Sequence, residues 1–280
     1  MQQTRKNLPL LGKEIGITLF DVDEGMAQLF FDDIYEEGLR LQKIFNFFDK
    51  KSELSLLNSK RKMKVSKEMQ SVLTKAVSYS KMMPEYDVTL GKKIIARKKG
   101  AGMPNVSCTY KDIKIEGETV SLSHPDILLD LGSIAKGYIA DKLSEFMQHL
   151  GIENGFIDAR GDIIIFGSEK IEINIQHPRI KEKVIHPFTL QNMSVATSGD
   201  YSQFFGSYDK SHIIGDNDFI SVTVIGKTLA DADALATCVF LAKKDEIGSL
   251  MEKSKDFAVF AIDKGLNEYF FNGFERYLAD

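Results

Sequence analysis

The sequence predicts an α+β fold, because helical and extended patterns follow one another irregularly along the chain. Two amphipathic helical patterns occupy residues 23–48 and 66–83, and most of the short strand-like stretches come after residue 112. No segment repeats at a fixed period, and no regular strand–helix alternation indicates a doubly wound sheet. The 280 residues are enough for one large domain or two closely packed halves. We expect a single domain over residues 1–280.

The composition excludes several classes of protein. A net charge of −4 and a pI near 5.8 argue against non-specific nucleic-acid binding, which requires a basic surface. No apolar run is long enough for a membrane span. Two distant cysteines, Cys108 and Cys238, indicate no disulfide framework. The first residues lack the apolar stretch of a signal peptide, so we expect a cytoplasmic protein.

The first half of the chain contains the longer helical patterns. Apolar residues recur at three- and four-residue steps between Asp23 and Phe48, and Ser66 is a candidate N-cap for the second helix. Between and after these helices, the pattern predicts a strand at 15–21, a short capped turn at 49–58, an extended piece at 86–93, a loop at 94–110 and a hairpin at 112–122 around Glu116–Gly117.

The second half begins with a strand ending at Ile127, Leu128 and Leu129, followed by a turn and a helix. Apolar stretches bounded by turn residues then predict short strands at 155–159, 162–167, 170–176, 192–197 and 219–226. Two helices are predicted at 229–243 and 244–253, and the tail supplies one or two closing strands.

The turn within residues 128–141 is the first candidate site. Gly132 and Ser133 form the turn, and Lys136 lies near the start of the following helix. Unpaired N–H groups at a helix N-terminus attract phosphate, and a lysine adds a full positive charge. Asp130 could accept a hydrogen bond from a ribose hydroxyl or an amide. The alternative is an ordinary strand–helix junction with a solvated lysine.

Asp233 and Thr237 form the second candidate site. They lie four residues apart in a predicted helix and therefore share one face. A carboxylate and a hydroxyl together suit Mg²⁺, with waters and a substrate phosphate completing the shell. The alternative is a solvated aspartate and a threonine bonded to its own helix. His212, the turn at 158–162 and the small-residue cluster at 195–201 are weaker candidates for a site.

Read in order, these segments resemble one family. DLGSIAKGYIAD, DARGD, ATSGDY, SHII, and SVTVIG with ADADALAT resemble the motifs of the ApbE family, the FAD:protein FMN transferases. The resemblance is strong over about residues 128–240 and extends weakly upstream through FDKKSELSLLN and YDVTLG. It implies an ApbE-like, T-fold-related arrangement of mixed sheets and helices with a flavin and metal site between two lobes.

The resemblance also implies a reaction. FMN would be transferred from FAD, as substrate, to a Thr or Ser hydroxyl of an acceptor protein, with AMP as the leaving group and Mg²⁺ (or Mn²⁺) as cofactor. His212 and Asp233 would be catalytic. The implied metal ligands are Asp233, Thr237 and the backbone carbonyl of Ser133, and the implied FAD contacts are Phe48, Thr89, Leu90, Gly91, Asp130 and Lys136.

Two alternatives use the same residues. With water as acceptor, the site would be an FAD pyrophosphatase that gives FMN and AMP; without turnover, it would be a flavin-binding protein. The sequence departs from the family pattern in three places. Arg160 stands where a small residue is usual, Leu11-Gly12-Lys13 replaces Met-Gly-Thr, and the run after His212 lacks the usual Pro and Thr-Gly.

Overall fold

The computed structural model describes residues 2–201, 204–205, 207–211 and 217–278. The helices are α1 (Glu24–Phe45), α2 (Glu53–Lys60), α3 (Lys67–Met82), α4 (Gly91–Lys98), α5 (Ala135–His149), α6 (Leu229–Leu241) and α7 (Ile247–Glu252). The strands are β1 (Gln3–Leu8), β2 (Ile15–Phe20), β3 (Lys62–Lys64), β4 (Ile113–Glu116), β5 (Thr119–Leu122), β6 (Gly155–Asp158), β7 (Ile163–Phe166), β8 (Ile171–Gln176), β9 (Val184–Leu190), β10 (Ser194–Gly199), β11 (Phe204–Phe205), β12 (Ser207–Ser211), β13 (Phe219–Gly226), β14 (Ala258–Asp263) and β15 (Glu268–Phe271).

An eight-stranded antiparallel sheet organises the fold, in the order β1-β2-β6-β7-β10-β13-β14-β15. The alternation of β13 shows how both faces are buried: Val222 and Val224 pack with α5 and α6, whereas Ile220 packs on the opposite face. That opposite face is covered by the β8–β9 hairpin, which contributes Ile175 and Phe188. The predicted α+β class is confirmed.

The central sheet is open between β7 and β10. β10 pairs with β13 over six residues, but it meets β7 only at Ser194 and Val195. Beyond that point the N–H of Thr197 donates instead to the side chain of Asp162, at 3.0 Å. Buried backbone groups need partners, and β7 no longer supplies one for Thr197. The bond to Asp162 replaces the missing strand partner and so stabilises the opening between β7 and β10. The opening lies beside the candidate site.

Most predicted elements are confirmed. The strand at 15–21, the two long helices, the hairpin around Glu116–Gly117 and the strands and helices after residue 155 are present, with ends that differ by a few residues. The strand predicted at 219–226 is reproduced residue for residue. β1 and β3 were not predicted, because their residues are mostly polar and exposed. β9 was also missed, although Phe188 and Leu190 are apolar and buried; Pro187, which is unusual inside a strand, interrupts its pattern.

The prediction for residues 86–110 was wrong in part. Residues 86–90 form no strand: Val88 and Thr89 lie in a turn, and Leu90 makes a single bridge to Leu128. Residues 91–98 form the helix α4, where the prediction has the end of the extended piece and the start of a loop. Half of the residues of α4 are basic, only two are large and apolar, and no side chain caps its N-terminus. The two isoleucines give α4 an apolar side, but the glycine- and proline-containing run that follows it indicates a loop, and the prediction extended that loop back to residue 94.

Two further predictions need correction. The capped turn at 49–58 is the helix α2, although its predicted cap is confirmed because Ser52 Oγ accepts from Ser55 N at 3.1 Å. The strand at 127–129 is reduced to a single parallel bridge between Leu90 and Leu128. The side chain of Asn58 exchanges two hydrogen bonds with the backbone of Leu129, at 2.7 and 3.0 Å, and so replaces a neighbouring strand.

Candidate active site

A cavity of about 1120 Å³ lies at the opening of the central sheet. Its walls come from the turn before α5, from α6, from β10, from the segment before α4 and from β8. Most of the residues singled out in the sequence line it: Phe48, Leu90, Asp130, Ser133, Lys136, Asp233 and Thr237. The fold therefore brings together residues that are up to 189 positions apart in the sequence.

Asp233 and Thr237 lie on the face of α6 that borders the cavity. All residues of α6 are buried except Asp231, so the helix is fixed on every side. The hydroxyl of Thr237 lies 3.2 Å from Ser198 Oγ on β10 and 3.2 Å from the carbonyl oxygen of Asp233. Among the described residues, no hydrogen-bond partner reaches the buried Asp233 Oδ2. A buried carboxylate oxygen without a partner indicates a position for a cation.

The charge state of Asp233 depends on opposing effects. Burial raises the pKa of its carboxyl group, whereas the nearby positive charge of Lys136 and a hydrogen bond from the backbone N–H of Gly137 lower it. A bound cation would act in the same direction as Lys136 and stabilise the carboxylate.

The turn before α5 lies in the wall of the same cavity. Asp130 Oδ1 accepts from Gly132 N at 2.8 Å, and Ser133 Oγ donates to the Tyr86 hydroxyl at 3.0 Å. At the start of the helix, the N–H of Ala135 donates to the carbonyl of Leu131, and the N–H of Tyr138 donates to that of Ile134. The N–H of Gly137 donates to the side chain of Asp233. In the described part of the chain, no backbone donor is directed at the carbonyl of Ser133.

Lys136 has a partner that the sequence did not predict. Its ammonium group forms an ion pair with Asp162, whose side chain is almost fully buried in the turn between β6 and β7. Burial lowers the pKa of Lys136, and the charge of Asp233 opposes that shift. The lysine therefore stands between two carboxylates at the cavity wall. The DARGD motif was recognised in the sequence, but nothing local indicated this pairing.

The oxygen set at Asp233, Thr237 and Ser133 fits Mg²⁺. No group of three or more His, Cys, Asp or Glu side chains in the described ranges could form a closed cage for a metal ion. Mg²⁺ does not need one, since it commonly uses one or two carboxylates and completes its shell with water and substrate phosphate. The unpartnered Asp233 Oδ2 supplies the charged ligand that such a site requires.

Two residues of the predicted flavin-contacting segment lie behind the cavity wall. Thr89 is fully buried, and its N–H and hydroxyl both donate to Asp87, at 2.9 and 2.7 Å. Gly91 approaches the backbone so closely that a Cβ there would lie 2.5 Å from the Leu128 carbonyl oxygen. Neither residue is among those that line the cavity, whereas Leu90 between them is. Thr89 and Gly91 thus hold the segment in place.

Phe48 lies at the mouth of the cavity. Its ring is 70% exposed, an unusual environment for a large aromatic residue, and the ammonium group of Lys98 lies 4.4 Å above the ring centroid. Both side chains border the cavity. An exposed aromatic ring at a cavity mouth can stack on a flat heterocycle.

Two carboxylates hold the N-terminus of α6. Asp141 accepts from the N–H groups of Leu229 and Ala230, at 2.7 and 2.9 Å. Asp231 accepts from Lys75 at 2.7 and 2.8 Å. Both acids complement the partial positive charge of the helix N-terminus and so orient the helix that carries Asp233. Nothing near Asp231 in the sequence indicated the partner lysine.

The comparison with known proteins agrees with this geometry. A model of the ApbE family matches residues 11–261. The chain belongs to the ApbE family.

Relatives in the ApbE family carry a common name. An FAD:protein FMN transferase from Haemophilus influenzae is 27% identical and is matched over 93% of this chain and 88% of its own length. Another, from Vibrio cholerae, is 30% identical over 60% of this chain, and that match spans only 55% of the relative's length.

Solved structures share the fold over its whole length. The flavin transferase ApbE from Vibrio cholerae superposes with a TM-score of 0.81 at 25% identity, over 99% of each chain. The ApbE protein from Thermotoga maritima superposes with a TM-score of 0.86 over 100% of each chain, and at 22% identity it supports the fold alone.

Two departures from the ApbE family pattern meet in space. Arg160, in the left-handed region at φ 67°, donates from its guanidinium to the carbonyl oxygen of Leu11, at 3.2 Å. Leu11 is itself in the left-handed region, at φ 57°. Both residues line the cavity, so the changed residues form one wall of it. His212 and residues 213–216 of the third departure lie outside the described residues, and the role of His212 stays a prediction.

Proposed function

We propose that this chain is an FAD:protein FMN transferase that binds FAD in the central cavity and transfers FMN to a Thr or Ser hydroxyl of an acceptor protein, releasing AMP. The observation that carries the proposal is the unpartnered, buried Asp233 Oδ2, which faces a cavity shared with Thr237 and Lys136. The family membership and the names of the relatives support the same activity.

Mg²⁺ is the cofactor we propose, held by Asp233, Thr237 and the carbonyl of Ser133. When bound, the ion neutralises the negative charge that develops on the diphosphate as it is cleaved. Mn²⁺ prefers similar oxygen ligands and could replace it. The chain has a net charge of −4, so an anionic dinucleotide requires local positive charge of this kind.

The chain's own residues bind and orient the substrate. Lys136 attracts the phosphates, and the Asp162 partner fixes where its ammonium group lies. The N–H groups of Ala135 and Gly137 already have partners, so the predicted set of unpaired donors at this helix N-terminus is not present. Asp130 accepts hydrogen bonds from the sugar-like or amide groups of FAD, and Phe48 and Leu90 contact its flat rings. Fixing both phosphates before reaction removes much of the entropic barrier to attack.

The reaction is a displacement at phosphorus. The acceptor hydroxyl oxygen forms a bond to the phosphorus of the FMN half, and the bond from that phosphorus to the bridging oxygen breaks. AMP leaves with the electron pair of the broken bond. The hydroxyl proton passes to a base, for which we propose His212, since a neutral imidazole accepts protons near neutral pH.

The test follows both products. The purified protein is incubated with FAD, Mg²⁺ and a protein bearing a candidate Thr acceptor motif, and AMP release is measured alongside covalent flavin fluorescence on a denaturing gel. We expect AMP and a fluorescent acceptor band, both lost with EDTA. AMP with free FMN and no band would instead identify a pyrophosphatase. Bound FAD without AMP would identify a flavin-binding protein.

A pair of variants connects the activity to Asp233. Asp233→Asn keeps the size of the side chain but removes the charge, and we expect AMP release to fall about a hundredfold or more. Asp256→Asn makes the same chemical change at an exposed position and should leave the activity unchanged. Equal activity of the two variants would exclude Asp233 as a metal ligand.

A further inference from the structure

The strand β8 has one free edge. It pairs with β9, and no other strand in the described part of the chain adds to its other side. In an antiparallel pair, about half of the backbone N–H and C=O groups point away from the partner strand. We call the side of β8 directed away from β9 the outer edge. Its backbone groups are available to bind an extended chain.

The active-site cavity reaches around this outer edge. Ile173, Asn174, Ile175 and Gln176 all line it, although successive side chains of a strand point to opposite faces. Consecutive lining residues therefore mean that the cavity meets the edge of the strand rather than one face. Asn174 and Gln176 are exposed on one face, whereas Ile175 is buried on the other.

The outer edge is continuous with the catalytic residues. Val195 pairs with Ile163 where β10 leaves β7, and both line the cavity. Thr197 and Ser198 follow Val195 along β10 and also line the cavity. The hydroxyl of Ser198 lies 3.2 Å from that of Thr237. A segment bound along β8 would thus occupy the same cavity as the Asp233 and Thr237 pair.

We propose that the outer edge of β8 binds the acceptor protein as an added β-strand, which carries the Thr or Ser hydroxyl to the bound FAD. The proposal rests on the transferase function above. Charge favours the acceptor over FAD at this place, because residues 173–176 are uncharged, whereas the lysine suited to the diphosphate lies at the start of α5. The cavity of about 1120 Å³ also exceeds the roughly 300–1,000 Å³ usual for one ligand.

Binding as an added strand would let the enzyme accept proteins whose sequences differ around the reacting hydroxyl. Main-chain hydrogen bonds supply affinity without a fixed sequence, and pockets for alternate side chains supply selectivity. The amides of Asn174 and Gln176 can add hydrogen bonds to the incoming chain.

The first test uses short synthetic peptides with one threonine. Two versions carry N-methyl groups on alternate residues, shifted by one position, so that only one version loses the N–H groups that face β8. We expect one methylated peptide to lose flavin labelling by about tenfold or more and the other to be labelled like the unmethylated peptide. Equal labelling of the two methylated peptides overturns the proposal.

The second test changes the strand. The N–H of His177, just after β8, donates to the carbonyl of Lys183 and so points toward the partner strand. Because this direction alternates along an antiparallel strand, the N–H of Asn174 points to the outer edge, and Asn174→Pro removes it without removing a bond to β9. We expect kcat/KM for the peptide to fall about tenfold, with the Kd for FAD unchanged. Asn174→Ala, the matched control, keeps the N–H and should behave like the unchanged protein.

The remaining outcomes separate this proposal from the transferase function. Loss of FAD binding in Asn174→Pro, with normal binding in Asn174→Ala, would assign the outer edge to FAD and overturn it. An enzyme that labels an acceptor protein but no peptide would also overturn it, since an extended segment would not suffice for docking. No AMP from FAD with any acceptor would overturn the transferase function itself.

Discussion

Gly137 is the closest contact between α5 and the start of α6, and we predict that Gly137→Ala separates them. A Cβ at this position would lie 2.5 Å from the carbonyl oxygen of Leu229 and 2.7 Å from the backbone nitrogen of Ala230. These are backbone atoms, so no side chain can turn aside to make room. The start of α6 must move, and Asp233 moves with it.

The size of the effect follows from two opposing contributions. Replacing glycine by alanine inside a helix stabilises it by about 1 kcal/mol. Overpacking costs about 1–3 kcal/mol, and we take the upper half of that range because the clash is with backbone. The net loss in free energy of unfolding is therefore about 1–2 kcal/mol. For a chain of this length, a loss of that size lowers Tm by roughly 2–3 °C.

The assay is thermal and urea denaturation, together with a Mg²⁺ titration of the folded protein. Gly248→Ala is the matched control, because Gly248 lies inside α7 and a Cβ there would meet nothing within 4 Å. We expect the control to be stabilised by up to about 1 kcal/mol. Gly137→Ala should also bind Mg²⁺ more weakly, since the Gly137 N–H bonds Asp233. Equal stability of the two variants would refute the packing argument.

Three further predictions concern the same region. Lys136→Met should raise the KM for FAD about tenfold or more, because it removes a charge-assisted contact to phosphate, and unchanged steady-state kinetics would contradict this. Gly91→Ala should destabilise the fold by about 1–3 kcal/mol in urea, because its Cβ would lie 2.5 Å from a backbone carbonyl, and an unchanged midpoint would argue against it. Burial raises the pKa of Asp141 to about 6, so the folded state holds a proton that the unfolded state releases between about pH 4 and pH 6. Stability should therefore fall by up to about 3 kcal/mol as the pH rises through that window, and Asp141→Asn should flatten the curve; parallel curves from urea denaturation would contradict the assignment.

Arg160 shows that a motif comparison identifies unusual residues but does not predict which of them are in contact. The sequence identified both Arg160 and Leu11 as unusual for the family, but it gave no reason to connect residues 149 positions apart. The structure joins them through one hydrogen bond. Similarly, Lys136 was singled out in the sequence and lines the cavity, while its ion pair with Asp162 depended on the path of the chain between β6 and β7.

The sequence by itself determined the elements with strong local patterns. The long apolar period of α1, the alternation in the β4–β5 hairpin and the spacing of Asp233 and Thr237 all depend on neighbours a few residues away. The motif order was enough to identify the family, because it samples much of the chain at once. The helix α4 was missed because it is only eight residues long and the glycine-containing run after it indicates a loop.

Only the tertiary structure decided what surrounds those elements. The opening between β7 and β10, the carboxylates that hold α6 and the free edge of β8 arise from contacts between distant segments. Such contacts are set by how apolar faces pack and by which buried polar groups find partners, and neither is encoded in any short stretch. The chemistry of Asp233 could therefore be proposed from its spacing, whereas its burial without a partner required the folded chain.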